Sequence, residues 1–174
     1  MRRIIGFSAF LLAAAPASAA LPSGTKAPQV EADGAAAGKP YKLNLQDQLK
    51  HGPVVLYFFP KAGTTGCDLE AHAFSESIGK FKTAGARVIG MSADSPERLK
   101  EFSSKQCASA FPVASATPET QKAYDVAWAA HPGLTTRTSY VIDKHGKIVM
   151  VHDDLDWSQH AAKTLAAVQG LKHK

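Results

Sequence analysis

The sequence predicts an α/β domain: a central mixed β-sheet flanked by helices, entered through an N-terminal β-hairpin. Two observations carry that expectation. Residues 54–59 (VVLYFF) form an unbroken apolar run of strand length, rich in β-branched and aromatic types, as in a strand covered on both faces. Beyond it, short apolar runs alternate with segments of helical spacing, and two late runs bracket Asp143-Lys144-His145-Gly146 as a hairpin.

Residues 1–19 have the form of an export signal. Arg2 and Arg3 give a charged start, residues 4–15 an apolar core, and Ala17-Ser18-Ala19 a small-x-small cleavage pattern. The core is too short and alanine-rich for a membrane span, and no cysteine follows the cleavage point to take a lipid anchor. The expectation is an exported, periplasmic protein without a membrane anchor. Cleavage after Ala19 leaves about 155 residues, 20–174, enough for one domain with a proper core.

Residues 21–39, rich in Ala, Gly and Pro, read as a loose leader and a long turn. Tyr41, Leu43 and Leu45 alternate with polar residues as a half-buried strand, hairpinned with the region around Val30. Gly52-Pro53 punctuates before the central strand, which Pro60 stops for want of an amide proton. Gly63 and Gly66 let the chain turn. From Asp68 the spacing becomes helical, with Leu69, Phe74, Ile78 and Phe81 on one face and Glu70, Glu76, Lys80 and Lys82 mostly elsewhere. Gly85 ends that helix, and residues 87–91 (RVIGM) make the next buried strand.

Ser95-Pro96-Glu97 is a helix start, with a capping serine and proline at the first position. That helix turns Leu99 and Phe102 inward and ends near Cys107. Residues 111–114 read as a short strand, 118–124 as a helix, and 128–135 as a loop. Strands at 139–142 and 148–151 flank the hairpin, and Trp157, Ala161, Leu165 and Val168 step along a last amphipathic helix.

Charge excludes little. Lys and Arg number 20 against 15 Asp and Glu, and removing Arg2 and Arg3 lowers the net charge from +5 to +3. The bases are scattered, with a small cluster at Lys172, His173 and Lys174, and none interleave with aromatics as a nucleic-acid groove requires. The seven histidines include no pair at helical metal-ligand spacing, so no metal site is expected.

Cys67 sits where the buried strand delivers the chain to a helix start. Unpaired amides and a partial positive charge there stabilise an anion, so the thiol can ionise below its ordinary pKa of roughly 8.5. Thiolate is the nucleophilic form. A small buried core cysteine is the plain alternative.

The residues around it, Pro60-x-x-x-Thr64-x-x-Cys67, resemble the active-site loop of the peroxiredoxins, and PKAGTTGC after VVLYFF is most similar to their bacterioferritin-comigratory (Q-type) branch. The resemblance runs from about Ala27 to the C-terminus. It implies the thioredoxin-like fold and places the peroxidatic cysteine on Cys67, the active-site threonine on Thr64, the loop proline on Pro60 and the late arginine on Arg137 of RTSYVID. In those roles Thr64 would hydrogen-bond the peroxide, Arg137 would hold the thiolate and stabilise charge as the O–O bond breaks, and Pro60 would shield the sulfur. Glu70, also common in this branch, would orient Arg137 or a backbone amide, or simply complement the helix dipole.

A thiol-dependent peroxidase is therefore expected, acting on hydrogen peroxide or small organic hydroperoxides without metal, haem or flavin. Many Q-type relatives carry a resolving cysteine five residues after the first, where this chain has His72. Others place it on the helix after the second strand, where Cys107 falls. Cys107 would then capture the Cys67 sulfenic acid as a disulfide, for a thioredoxin-like dithiol protein to reduce. Disulfide geometry requires the first turn after Cys67, the tail of the Cys107 helix, or both to unfold locally. Otherwise Cys107 is a bystander and the enzyme a one-cysteine type. The resemblance implies a monomer or weak dimer, and pocket shape is assigned to Phe59, Trp128 and the loop to Thr135.

The rival enzyme is a periplasmic thiol–disulfide oxidoreductase of the thioredoxin type. It would need Cys-x-x-Cys, whereas Cys67 is followed by Asp68-Leu69-Glu70. A binding or chaperone domain with a decayed site conflicts with the intact Pro60, Thr64, Cys67 and Arg137.

Overall fold

The computed structural model describes residues 20–171. Residues 1–19, where the sequence suggests an export signal, and the basic cluster at 172–174 lie outside them. Seven strands form one sheet in the order β2-β1-β5-β4-β3-β6-β7. They are β1 (Glu31–Ala36), β2 (Lys39–Asn44), β3 (Val54–Phe58), β4 (Arg87–Ser92), β5 (Val113–Ser115), β6 (Thr138–Ile142) and β7 (Ile148–Asp153). The helices are α1 (Leu45–Leu49), α2 (Thr65–Thr83), α3 (Pro96–Lys105), α4 (Pro118–Ala123) and α5 (His160–Gly170), the last preceded by a 3-10 turn at Trp157–Gln159.

All five residues of β3 are buried. The two-residue strand period then splits the run 54–59 between two cores. Val55, Tyr57 and Phe59 join Phe74 and Phe81 of α2, Leu99 and Phe102 of α3, and Ala161 and Val168 of α5. Val54, Leu56 and Phe58 face Leu45 and Leu49 of α1, Tyr124, Tyr140 and Ile142. Phe74 stacks on Tyr57 at 4.4 Å between ring centroids, and truncating such a residue to Ala typically costs about 3–5 kcal/mol.

The sheet is mixed: β4 runs parallel to β3, and β6 antiparallel to it with Phe58 opposite Thr138. That register decides the site. The end of β3, which leads into the Cys67 loop, lies beside the start of β6, which Arg137 precedes. Residues seventy positions apart converge at one end of the sheet.

Several expectations need correction. The segment 21–39 is largely ordered structure: the amides of Gly24 and Ala27 bond to the carbonyls of Ile148 and Gly146, and β1 occupies its second half. The long turn is the tight reversal Ala37-Gly38, both at positive φ. Leu45 is not in the strand but opens α1, because Asn44 accepts from the amide of Asp47 at 3.1 Å and caps a helix there. The short strand expected at 111–114 is β5, shifted to Val113–Ser115. Trp157 belongs to the 3-10 turn, not to α5. On α2, Leu69 is 42 % exposed while Glu70 is fully buried, so the inward face is Cys67, Glu70, Ala71, Phe74 and Phe81. A buried partner, Arg137, draws the carboxylate in and rotates the apolar neighbour out.

Candidate active site

Cys67 is the third residue of α2, so it lies among first-turn amides that have no carbonyl one turn earlier to bond. The connecting loop is tied down from outside. Thr135 Oγ1 donates to the Phe59 carbonyl at 2.8 Å, Asp94 Oδ2 accepts from the Ala62 amide at 2.7 Å, and Arg98 Nη2 donates to the Ala62 carbonyl at 2.6 Å. Asp94 and Arg98 pair with each other at 3.1 Å. Nothing local in the sequence marks Asp94 and Arg98 as anchors, because they reach the loop only through the turn after β4 and the start of α3.

The thiol is 1 % exposed, and Arg137 Nη2 lies 3.6 Å from its Sγ. The guanidinium is fixed on its other edges. Nε donates to the Leu155 carbonyl at 2.9 Å, and Nη1 is bonded to Glu70 Oε2. Gly66 makes the approach possible, since a Cβ there would stand 3.2 Å from Arg137 Nη2 and 3.7 Å from Trp157 Cδ1.

Behind Glu70 lies a second buried group, His160. Its Nε2 is 2.9 Å from the Asp154 carbonyl, which can only accept, so Nε2 carries the proton. Its Nδ1 meets Ser139 Oγ at 2.8 Å and Glu70 Oε1 at 3.5 Å. Burial pushes the Glu70 carboxyl up to about 8 against the pull of Arg137, and pushes His160 down to about 4. Between those values Glu70 keeps its proton and His160 is neutral. No periodicity distinguishes His160 from a surface histidine, and only the fold brings it here.

The other site residues are placed as follows. Pro60 is half-buried at the start of the loop. Thr64 caps α2, but its side chain is exposed and its hydroxyl donates to the Lys61 carbonyl at 2.9 Å. Cys107 lies two residues beyond α3, fully buried in the same apolar cluster as Cys67, and both thiols are free. Burial, then the charge of Asp68, pushes the Cys107 thiol far up. Asp68 itself accepts from the Gly63 amide and from Gln106 Nε2, each at 3.1 Å. Phe59 is fully buried against Phe102 and so is core rather than pocket lining. Among the described residues, no three His, Cys, Asp or Glu side chains gather to hold a metal ion, and no helix is long and apolar enough to cross a membrane.

Known proteins resemble this chain in sequence and in fold. Residues 23–151 match the AhpC/TSA family. The chain is 35 % identical over 136 residues to the chloroplastic peroxiredoxin Q of Sedum lineare, covering 78 % of this chain and 72 % of that one. It is 35 % identical over 119 residues to a putative peroxiredoxin of Mycobacterium tuberculosis, covering 63 % and 73 %. Among solved structures, the peroxidoxin BcpB of M. tuberculosis superposes with a TM-score of 0.75 at 28 % identity, over 86 % of this chain and 97 % of that one. Peroxiredoxin Q of Xanthomonas campestris does so with 0.69 at 28 %, over 79 % and 89 %. The fold is thioredoxin-like, and the chain belongs to the AhpC/TSA family as a peroxiredoxin of the Q, or bacterioferritin-comigratory, branch.

Proposed function

We propose that the protein is a thiol-dependent peroxidase whose nucleophile is Cys67, resolved by Cys107 and recycled by a dithiol protein of the thioredoxin kind. The observation that carries this reading is the fixed guanidinium of Arg137, 3.6 Å from a sulfur in the first turn of α2. Two sources of positive potential converge on one buried sulfur, where they face negative charge as it moves during the reaction.

The thiolate attacks the near oxygen of hydrogen peroxide or a small organic hydroperoxide. A sulfur–oxygen bond forms, the O–O bond breaks, and its electron pair leaves as hydroxide or alkoxide. That anion takes a proton and departs as water or alcohol, leaving Cys67 as sulfenic acid. Arg137 faces the charge as it moves from sulfur to oxygen. Attack by the Cys107 thiolate then forms the disulfide, and the hydroxyl leaves with a proton as water. A dithiol returns both cysteines to thiols and is itself oxidised. Thr64 would meet the peroxide by rotating its exposed hydroxyl away from Lys61, and Pro60 would cover the sulfur.

The small-x-small sequence at 17–19 supports export to the periplasm with Ala20 as the mature N-terminus, and the proposed assembly is a monomer or weak dimer. One experiment tests the centre of the proposal. Turnover of peroxide is followed with dithiothreitol present, and separately the reduced protein, freed of dithiothreitol, is given one equivalent of peroxide and weighed by intact and peptide mass spectrometry. The expected results are turnover, a two-proton mass loss and a Cys67–Cys107 linked peptide. Turnover that survives Cys67→Ser overturns the peroxidase reading. A stable sulfenic acid on Cys67 without the linked peptide makes this a one-cysteine enzyme.

A further inference from the structure

Each cysteine has a chain neighbour that touches the other's. Asp68 follows Cys67, Gln106 precedes Cys107, and Gln106 Nε2 donates to Asp68 Oδ2 at 3.1 Å. We infer that Asp68 and Gln106 are positioning residues of the resolving step, forming a clasp that holds the Cys107 turn closed and must open before the disulfide can form. The inference rests on Cys107 being the resolving cysteine.

The clasp joins three segments. Asp68 Oδ1 accepts from Gly63, which fixes the carboxylate to the loop before Cys67, while Oδ2 reaches the C-terminal cap of α3. What it holds is poised to leave. Beyond Cys107 the backbone takes two successive left-handed residues, Ala108 at φ 46° and Ser109 at φ 58°, and neither is glycine. Only main-chain bonds from its own amides hold the turn, from Cys107 N to Phe102 O at 3.1 Å, Ala108 N to Lys105 O at 3.3 Å, Ser109 N to Ser103 O at 3.0 Å and Ala110 N to Cys107 O at 2.8 Å, and each partner lies within or just after α3. Closed, the turn buries the Cys107 sulfur completely beside the charge of Asp68, so the second nucleophile stays protonated. Opening exposes the sulfur and removes it from that carboxylate in one movement.

The clasp therefore sets a competition. While it stays closed, a second peroxide can oxidise the Cys67 sulfenic acid to sulfinic acid, releasing another water or alcohol; once it opens, the disulfide forms instead.

The test is a single turnover of the reduced full domain with one equivalent of hydrogen peroxide, quenched by acid at set times and read by mass spectrometry. Gln106→Leu removes the donor and should speed disulfide formation about fivefold, the factor of one lost hydrogen bond. Gln106→Lys offers Asp68 a cation and should slow it by about the same factor, with more sulfinic acid under excess peroxide. Adding Asp68→Asn to Gln106→Lys should cancel the slowing. Loss of the Cys67 thiol to peroxide should proceed at the wild-type rate in both Gln106 variants. A merely structural role does not give opposite signs from one position. Should Gln106→Leu fold poorly, Ala108→Gly relaxes the left-handed strain and should slow resolution. If wild type makes no Cys67–Cys107 disulfide, the resolving assignment fails. If it does, and resolution is equally fast in the leucine and lysine substitutions, the clasp fails alone.

Discussion

Arg137 faces Cys67 with one nitrogen and Glu70 with another, so two acids compete for a single buried guanidinium. Lysine has one charged nitrogen and cannot serve both. Arg137→Lys should therefore slow alkylation of Cys67 by iodoacetamide at pH 7 about tenfold or more, and peroxide reduction with it. Arg137→Ala should also lose about 1–3 kcal/mol of stability, because the buried Glu70 carboxyl is left without its hydrogen-bond donor. Alkylation at the wild-type rate in both variants would remove Arg137 from the site.

The competing carboxylate gives the second prediction. Glu70→Gln keeps an oxygen to accept from Arg137 Nη1 but can never take its charge. With Glu70 pushed up to about 8 by burial, the two proteins share a neutral side chain on the acid side and differ above it. Rates of Cys67 alkylation should coincide at low pH. As pH rises through about 8 the variant should become the faster, because its guanidinium stays undivided. Parallel profiles, or a slower variant at high pH, contradict this.

Gly66 tests the approach itself. Gly66→Ala puts a methyl 3.2 Å from Arg137 Nη2, inside a contact already closed on its other side by Trp157. Gly66 is the second residue of α2, where alanine restricts the unfolded chain more than glycine does, so the melting temperature should hold while Cys67 alkylation slows several-fold. Loss of both together would mean that the backbone, not the guanidinium, has moved.

Much of this site was legible in the sequence because its chemistry is local. A buried strand, a stop at Pro60 and the onset of helical spacing at Asp68 put Cys67 at a helix start, as found. Arg137 was reachable only through the peroxiredoxin likeness, and the antiparallel register of β3 with β6 is what brings it over. Glu70 was set among the polar residues off the inner face of α2, since spacing treats a first-turn acid as solvated. Its burial depends on a partner 67 residues away. His160, Asp94 and Gln106 carry no local signal at all. They are ordinary polar residues until the sheet brings their elements to the end where β3 stops.

Tyr57 offers a check on packing rather than chemistry. It is fully buried on the α2 face of β3, among Phe59, Phe74 and Phe111, and its hydroxyl has no hydrogen-bond partner among the described residues. An unsatisfied buried hydroxyl costs about 1–3 kcal/mol. Tyr57→Phe keeps the ring and its stacking, and should raise stability by about 1 kcal/mol or more in urea unfolding. A destabilised variant would reveal a partner for that hydroxyl.

Glu70 and His160 together predict how stability follows pH. Burial raises Glu70 from its ordinary 4.5 to about 8, so the folded chain keeps a proton that the unfolded chain has released, and stability is lost as pH rises through that window. Burial lowers His160 from 6.5 to about 4, so the folded chain lacks a proton that the unfolded chain holds, and stability is lost as pH falls through that window. Between 4.5 and 6.5 the two slopes have opposite signs and cancel, because folded and unfolded chains each hold one proton on the pair. What remains in wild type from these two groups is a decline from about 6.5 to 8, worth on the order of 2 kcal/mol. Replacing one member unmasks the other. Glu70→Gln should give a protein that weakens as pH falls from 6.5 towards 4, whereas His160→Phe should weaken steadily from 4.5 upward. Urea unfolding from pH 4 to 9 on the three proteins reads this directly. If both substitutions leave the wild-type curve unchanged in shape, Glu70 does not keep its proton with His160 neutral, and the polarity of the site behind Arg137 is set elsewhere.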